Sequence, residues 1–195
     1  NKQLTDATCP FVTKPQQIVE KMSAEGYDIV IFGDKNHPEV KGVKSYAKSR
    51  VFVIMDTKEL QDVKLGSRVA LVSQTTKKIE SFTKIADFLM QRARELRIFN
   101  TICNATLENQ EAVKSLSQKA DVMIIVGGKN SSNTKQLFLI SQNFCKDSYL
   151  IENESELERS WFENKSLCGI SAGASTPDWI IKKVVARIEN LTQNL

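Results

Sequence analysis

DIVIFGDKN, residues 28–36, returns further along the chain as DVMIIVGGKN, residues 121–130. Each copy is an aspartate, a run of apolar residues, then glycine and a polar end. A short apolar run with no polar alternation has the pattern of a strand buried on both faces. The two aspartates stand 93 residues apart (121 − 28), and the agreement extends outward from them. Cys9 and Cys103, each ahead of a helical pattern, are 94 apart (103 − 9). The runs VFVI (51–54) and SYLI (148–151) are 97 apart (148 − 51). RVALVS (68–73) and SLCGIS (166–171) each lead into small polar residues, VSQTT and ISAGAST. Such an internal repeat predicts two pseudo-symmetric α/β domains, 1–98 and 99–195, each a small parallel sheet flanked by helices.

Helical spacing fills the gaps between strands. In 12–22, Val12, Pro15, Ile18, Val19 and Met22 share one face, and Gly26 follows as a stop. In 77–96, Ile79, Phe82, Ile85, Ala86 and Leu89 do the same, and 107–119, 132–143 and 177–191 are similar. Composition excludes several classes. A net charge of +4 with Lys and Glu interspersed implies no nucleic-acid partner. No apolar run reaches the ~18 residues of a membrane span, and there is no signal-peptide core, so the cytoplasm is the expected location. Four cysteines without C-x-x-C, and one histidine, argue against a disulfide scaffold or a Cys/His zinc finger.

Ligands of open parallel sheets sit at the carboxyl ends of strands. The loops there are FGDKNHPEV, VSQTT, TICNAT, VGGKNSSNTK and ISAGASTPD, which together would line one polar rim. In GGKNSSN, Ser131, Ser132 and Asn133 fall at a helix start, where free N–H groups suit a phosphate. The same residues also suit simple capping. Ser175 and Thr176 before Pro177 carry the same two meanings. His37 is the one side chain with a reference pKa near neutrality, and it could donate to a phosphate. Glu39 could pass a proton. Either could equally be a solvated loop residue. Cys9 and Cys103 lie near helix starts, where the field favours a thiolate. Two thiolates at a pseudo-symmetric centre suit an iron–sulfur cluster, or they are simply two packed thiols. Cys145 and Cys168, one in a helical pattern and one in a strand pattern, read as packing.

DATCPFV, HPEVKG, VSQTT, ICNAT followed by NQEAV, GGKNSSNT and SAGASTPD, in this order, resemble the 4-hydroxy-3-methylbut-2-enyl diphosphate reductase (IspH/LytB) family. The motifs run through essentially the whole chain. The resemblance implies a trefoil-like parent of three α/β domains around a central [4Fe-4S] cluster, with one cysteine from each domain. It implies a two-electron reductive dehydroxylation of (E)-4-hydroxy-3-methylbut-2-enyl diphosphate to isopentenyl and dimethylallyl diphosphates. Cys9 and Cys103 would be two cluster ligands. His37, Thr75, Ser131, Ser132, Asn133 and Ser175 would hold the diphosphate. Glu39 would deliver a proton, with Thr75 ordering that relay. Flavodoxin or ferredoxin would be the usual sort of electron donor. The resemblance further implies a domain ahead of Asn1 carrying the third cysteine, and hence a chain unable to hold an intact cluster alone. Two other readings compete: a phosphometabolite-binding module without redox chemistry, and a thiol or zinc protein using Cys9, Cys103 and His37.

Overall fold

The structure, a computed structural model, describes residues 9–193; Asp6–Thr8 of the DATCPFV motif lie outside them. The chain divides into two compact units, Asn1–Cys103 and Asn104–Leu195, so that Cys103 closes the first unit.

The first unit runs α1 (Pro10–Ala24), β1 (Asp28–Phe32), α2 (Pro38–Ser45), β2 (Val51–Ile54), β3 (Arg68–Ser73), α3 (Ile79–Met90) and β4 (Glu95–Ile98). Its strands form one parallel sheet in the order β2-β1-β3-β4. The second unit runs α4 (Asn104–Ser117), β5 (Val122–Val126), α5 (Ser132–Gln142), β6 (Ser148–Ile151), β7 (Cys168–Ala172) and α6 (Asp178–Thr192). Its sheet, also parallel, has the order β6-β5-β7. The order β2-β1-β3 in one unit matches β6-β5-β7 in the other, as the internal repeat predicts for these three strands, while β4 has no counterpart among the described residues of the second sheet.

The apolar runs are explained by what covers them. All five residues of β1 and all five of β5 are buried. Along β5 the side chains alternate between faces, as strand geometry requires. Val122, Ile124 and Val126 pack with Val184 and Ile188 of α6. Met123 and Ile125 pack with Val113 of α4 and with Leu137 and Ile140 of α5. In the first unit Ile29 and Ile31 of β1 meet Val19 and Met22 of α1 and Val40 and Val43 of α2. Each such side chain, fully buried, contributes roughly 1.5–3 kcal/mol.

The strand aspartates that reveal the repeat have a structural task. Asp28 accepts from the Gly66 amide at 2.6 Å and from Arg50 Nη2 and Nε at 2.6 and 3.0 Å. Asp121 accepts from the amides of Ser166 and Leu167, both at 2.9 Å. In each unit the carboxylate at the start of the central strand thus pins the loop that enters the third strand.

One expectation is corrected. The helix anticipated over 77–96 ends at Met90, and 95–98 form β4. This edge strand reads ELRI, and its charges are satisfied sideways. Glu95 pairs with Arg68 at 3.0 Å and Arg97 at 3.4 Å, and it accepts the Tyr27 hydroxyl. Charged side chains are usual on an exposed sheet edge, and they hide the strand from an apolar-pattern search. The helix α2 also goes beyond the expected helical stretches.

Candidate active site

In the first unit the site is built on the loops leaving β1 and β3. The Gln74 amide donates to the Phe32 carbonyl at 2.8 Å, and its side-chain oxygen accepts from the Asp34 amide at 3.1 Å. This buried glutamine ties the two loops together, so the residues beyond them are fixed relative to one another. His37 is the N-cap of α2: its Nδ1 accepts from the Glu39 amide at 3.3 Å. A ring nitrogen that accepts carries no proton, so in this arrangement Nε2 is the nitrogen left to carry the N–H. Pro38 follows at the first helical position, where its fixed φ and missing N–H cost nothing.

Glu39 and Thr75 form the closest pair. The carboxylate accepts from the Thr75 amide at 2.7 Å and from the Thr75 hydroxyl at 2.8 Å. Thr75 is 8% exposed, so this pairing is largely out of water. The Thr75 carbonyl in turn accepts from the Cys103 amide at 2.9 Å. The segment leading to Cys103 is fixed one step earlier, where Thr101 Oγ1 bonds both the Ser73 amide (2.8 Å) and the Ser73 carbonyl (2.6 Å). His37, Glu39, Thr75 and Cys103 are therefore joined at the carboxyl edge of one sheet. Lys77 stands at the same edge, its Nζ 3.4 Å from Met55 Sδ. Burial pulls its ammonium below the ordinary lysine range, against the opposing charges of Asp34 and Glu39.

In the second unit the loop after β5 leads into α5. Ser131 is the N-cap, its hydroxyl oxygen accepting from the Thr134 amide at 3.3 Å. Ser132 and Asn133 form the first turn, where helix N–H groups lack intrahelical partners. Asn133 is 7% exposed, yet neither Nδ2 nor Oδ1 has a partner among the described residues. The turn is seated by Thr134, also buried, against two glycines. A Cβ on Gly173 would lie 2.4 Å from Thr134 Oγ1, and one on Gly127 would lie 2.8 Å from it. Thr176, in the Ser175 loop, donates to the Val126 carbonyl at 3.0 Å. The GGKNSSN and SAGAST loops thus meet at Thr134, and Ser175 is exposed beside them.

The cysteines separate into two kinds. Cys9 is exposed at the N-cap of α1, and Cys103 is half-buried directly before α4. Both are free thiols at the positive end of a helix dipole. Cys145 is buried in the core of the second unit, and burial pushes the Cys168 thiol up to about 11. That is the environment of inert packing thiols. Among the described residues no three His, Cys, Asp or Glu side chains converge as a metal site, and no helix is long and apolar enough to cross a membrane.

Sequence reasoning missed Gln74, Thr101 and Thr134, which hold the site rather than line it. Their signal was weak, since a Gln or Thr in a polar loop looks like any other until its burial is known.

The family model described as LytB protein matches residues 1–189. The chain is 75% identical over 191 residues to a 4-hydroxy-3-methylbut-2-enyl diphosphate reductase of Campylobacter hominis, covering 98% of this chain and 70% of that one. It is 72% identical to the protein of the same name from Campylobacter fetus subsp. fetus, covering 97% of this chain and 68% of that one. A solved structure of (E)-4-hydroxy-3-methyl-but-2-enyl diphosphate reductase, the terminal enzyme of the non-mevalonate pathway, aligns with TM-score 0.63 at 42% identity over 96% of this chain and 68% of its own. The solved reductase from Plasmodium falciparum aligns with TM-score 0.89 at 28% identity over 97% of this chain and 61% of its own. Matched by this family model over residues 1–189 and 75% identical to such a reductase across nearly its whole length, the chain belongs to the LytB family.

Proposed function

We propose that this chain carries the catalytic machinery of an iron–sulfur reductase that converts (E)-4-hydroxy-3-methylbut-2-enyl diphosphate to isopentenyl and dimethylallyl diphosphates. The observation that carries the reading is Thr75, bonded at once to the Glu39 carboxylate and to the Cys103 backbone. A proton donor and a thiol ligand are thereby held on one residue, which is what a reduction coupled to loss of a hydroxyl requires.

The donor set fits an iron–sulfur cluster. Cys9 and Cys103 are free thiols at helix starts, and soft thiolates there suit iron and sulfide better than a hard cation. These two residues would be two of the cluster's cysteine ligands, and the cluster, when bound, supplies the electrons and a Lewis-acid position for the substrate oxygen. The rest falls to the chain's own side chains. His37 Nε2–H, the Ser131 and Ser132 hydroxyls, the Asn133 amide and Ser175 would bind the diphosphate without any arginine. Glu39 would give a proton to the departing hydroxyl, which leaves as water. Thr75 would hold the Glu39 carboxyl in line, its hydroxyl reorienting as that proton moves. The reaction as a whole consumes two electrons and two protons, and a small redox protein such as a flavodoxin or ferredoxin would deliver the electrons.

The test is anaerobic turnover of the holoenzyme with a chemical reductant. Formation of both five-carbon diphosphates is expected. A holoenzyme with full iron and sulfide that binds the substrate but never releases water from it would overturn the reading.

A further inference from the structure

Every buried side-chain polar atom without a hydrogen-bond partner among the described residues lies on α4 or α5. They are Gln110 Nε2, Ser117 Oγ, both amide atoms of Asn133, Thr134 Oγ1 and Gln136 Nε2. Orphaned polar atoms are rare in native interiors, so a group of them on two helices points to a missing partner. The two helices pack against each other. α4 buries Thr106, Gln110, Val113 and Ser117, and α5 buries Asn133, Thr134, Leu137, Ile140 and Ser141. Gln110 comes from the NQEAV stretch, which the catalytic reading leaves without a role.

The chemistry of an amide explains what Gln110 could do. Asn133 can help an anion only by presenting Nδ2–H; with Oδ1 forward it would repel the anion. The two ends are nearly the same shape, so packing alone does not choose between them. A donor behind the amide does choose, because it must bond the oxygen. Gln110 Nε2 is an unpartnered donor, 8% exposed, on the helix that packs against α5. Gln136 Nε2 is a second unpartnered donor, but it lies on Asn133's own helix and is only half-buried.

We propose that Gln110 is a positioning residue: with an anion at the start of α5, its Nε2–H donates to Asn133 Oδ1 and so turns Nδ2–H toward the anion. This rests on the reading of α5 as a diphosphate site. Because α4 begins directly after Cys103, the same contact ties that helix to the anion-binding turn.

The experiment uses the holoenzyme with inorganic diphosphate as the calorimetric probe, alongside KM, kcat and the visible spectrum. Gln110→Met removes the donor, and Gln110→Glu keeps the shape while losing it. Each is expected to weaken diphosphate binding and raise KM about tenfold, with kcat within about twofold and the spectrum unchanged. In an Asn133→Ala background Gln110→Met is expected to add less than about twofold, because its partner is already gone. Gln136→Met should bind as wild type does. Wild-type affinity in both Gln110 variants, or full multiplication of the Gln110→Met effect on Asn133→Ala, would overturn the proposal. Should Gln110→Met fail to fold, Gln110→Glu decides. Failure of the wild-type holoenzyme itself to bind diphosphate would instead sink the diphosphate-site reading.

Discussion

Gly127 and Gly128 are adjacent and identical in sequence, yet the structure sets them far apart in consequence. Gly127 has φ +150°, a conformation that L-residues rarely adopt. A Cβ there would lie 2.8 Å from Thr134 Oγ1, 2.8 Å from Thr176 Oγ1 and 3.1 Å from Thr134 Cγ2. Neither threonine is free to give way, since Thr134 is 1% exposed and Thr176 is bonded to the Val126 carbonyl. Gly127→Ala therefore costs about 1–3 kcal/mol for the backbone and about 1–3 kcal/mol for overpacking. A Cβ on Gly128 meets nothing nearer than Glu152 Oε1 at 3.9 Å. Gly128→Ala should fall between neutral and a gain of about 0.4–1 kcal/mol, from the reduced freedom of the unfolded chain. Urea unfolding followed by circular dichroism measures both. Because Thr134 seats the first turn of α5, Gly127→Ala should also lose diphosphate affinity at urea-free, fully folded conditions, and Gly128→Ala should keep it. Two variants within about 0.5 kcal/mol of each other, a difference usual for surface changes, would refute the seating described for this loop.

Three further outcomes follow from the geometry. Thr75→Val removes the hydroxyl bond to Glu39 but keeps both backbone bonds, so turnover should fall about 10²-fold or more with iron content unchanged; a matching loss of iron would mean the residue holds the cysteine segment instead. Asp121 is held below the usual carboxylate range by the Leu167 amide first and the Ser166 amide second. Its depressed folded pKa adds stability above the unfolded value of about 4, and that stability is lost as pH falls through the folded value. The stability gap between wild type and Asp121→Asn should accordingly close on acidification. Cys9→Ser and Cys103→Ser should each lower bound iron, whereas Cys168→Ser should leave it intact and the Cys168 thiol should resist iodoacetamide at neutral pH.

The sequence was most legible where burial is two-sided. The strands β1 and β5 were visible because both faces are covered by helices, leaving no polar residue to interrupt the run. The repeat was visible because Asp28 and Asp121 keep a shared task, pinning the loop into the third strand. β4 was hidden because its charges are satisfied along the sheet edge by Arg68, Arg97 and Tyr27, contacts that no local pattern encodes. At the site, the motif residues could be picked out by type, but their pairing could not. Nothing local says that Glu39 reaches Thr75 across 36 positions, or that the Cys103 amide returns to the Thr75 carbonyl. Those links exist because parallel strands bring every carboxyl end to one edge.

The most direct measurement compares product formed from (E)-4-hydroxy-3-methylbut-2-enyl diphosphate by wild-type and Glu39→Gln holoenzymes of equal iron content, under the same reductant. Wild type should yield isopentenyl and dimethylallyl diphosphates, and Glu39→Gln should yield them at least about 10²-fold more slowly. Equal rates from the two, or no product from the fully loaded wild type, would contradict the assignment of Glu39 and Thr75 as the proton-delivering pair beside Cys103.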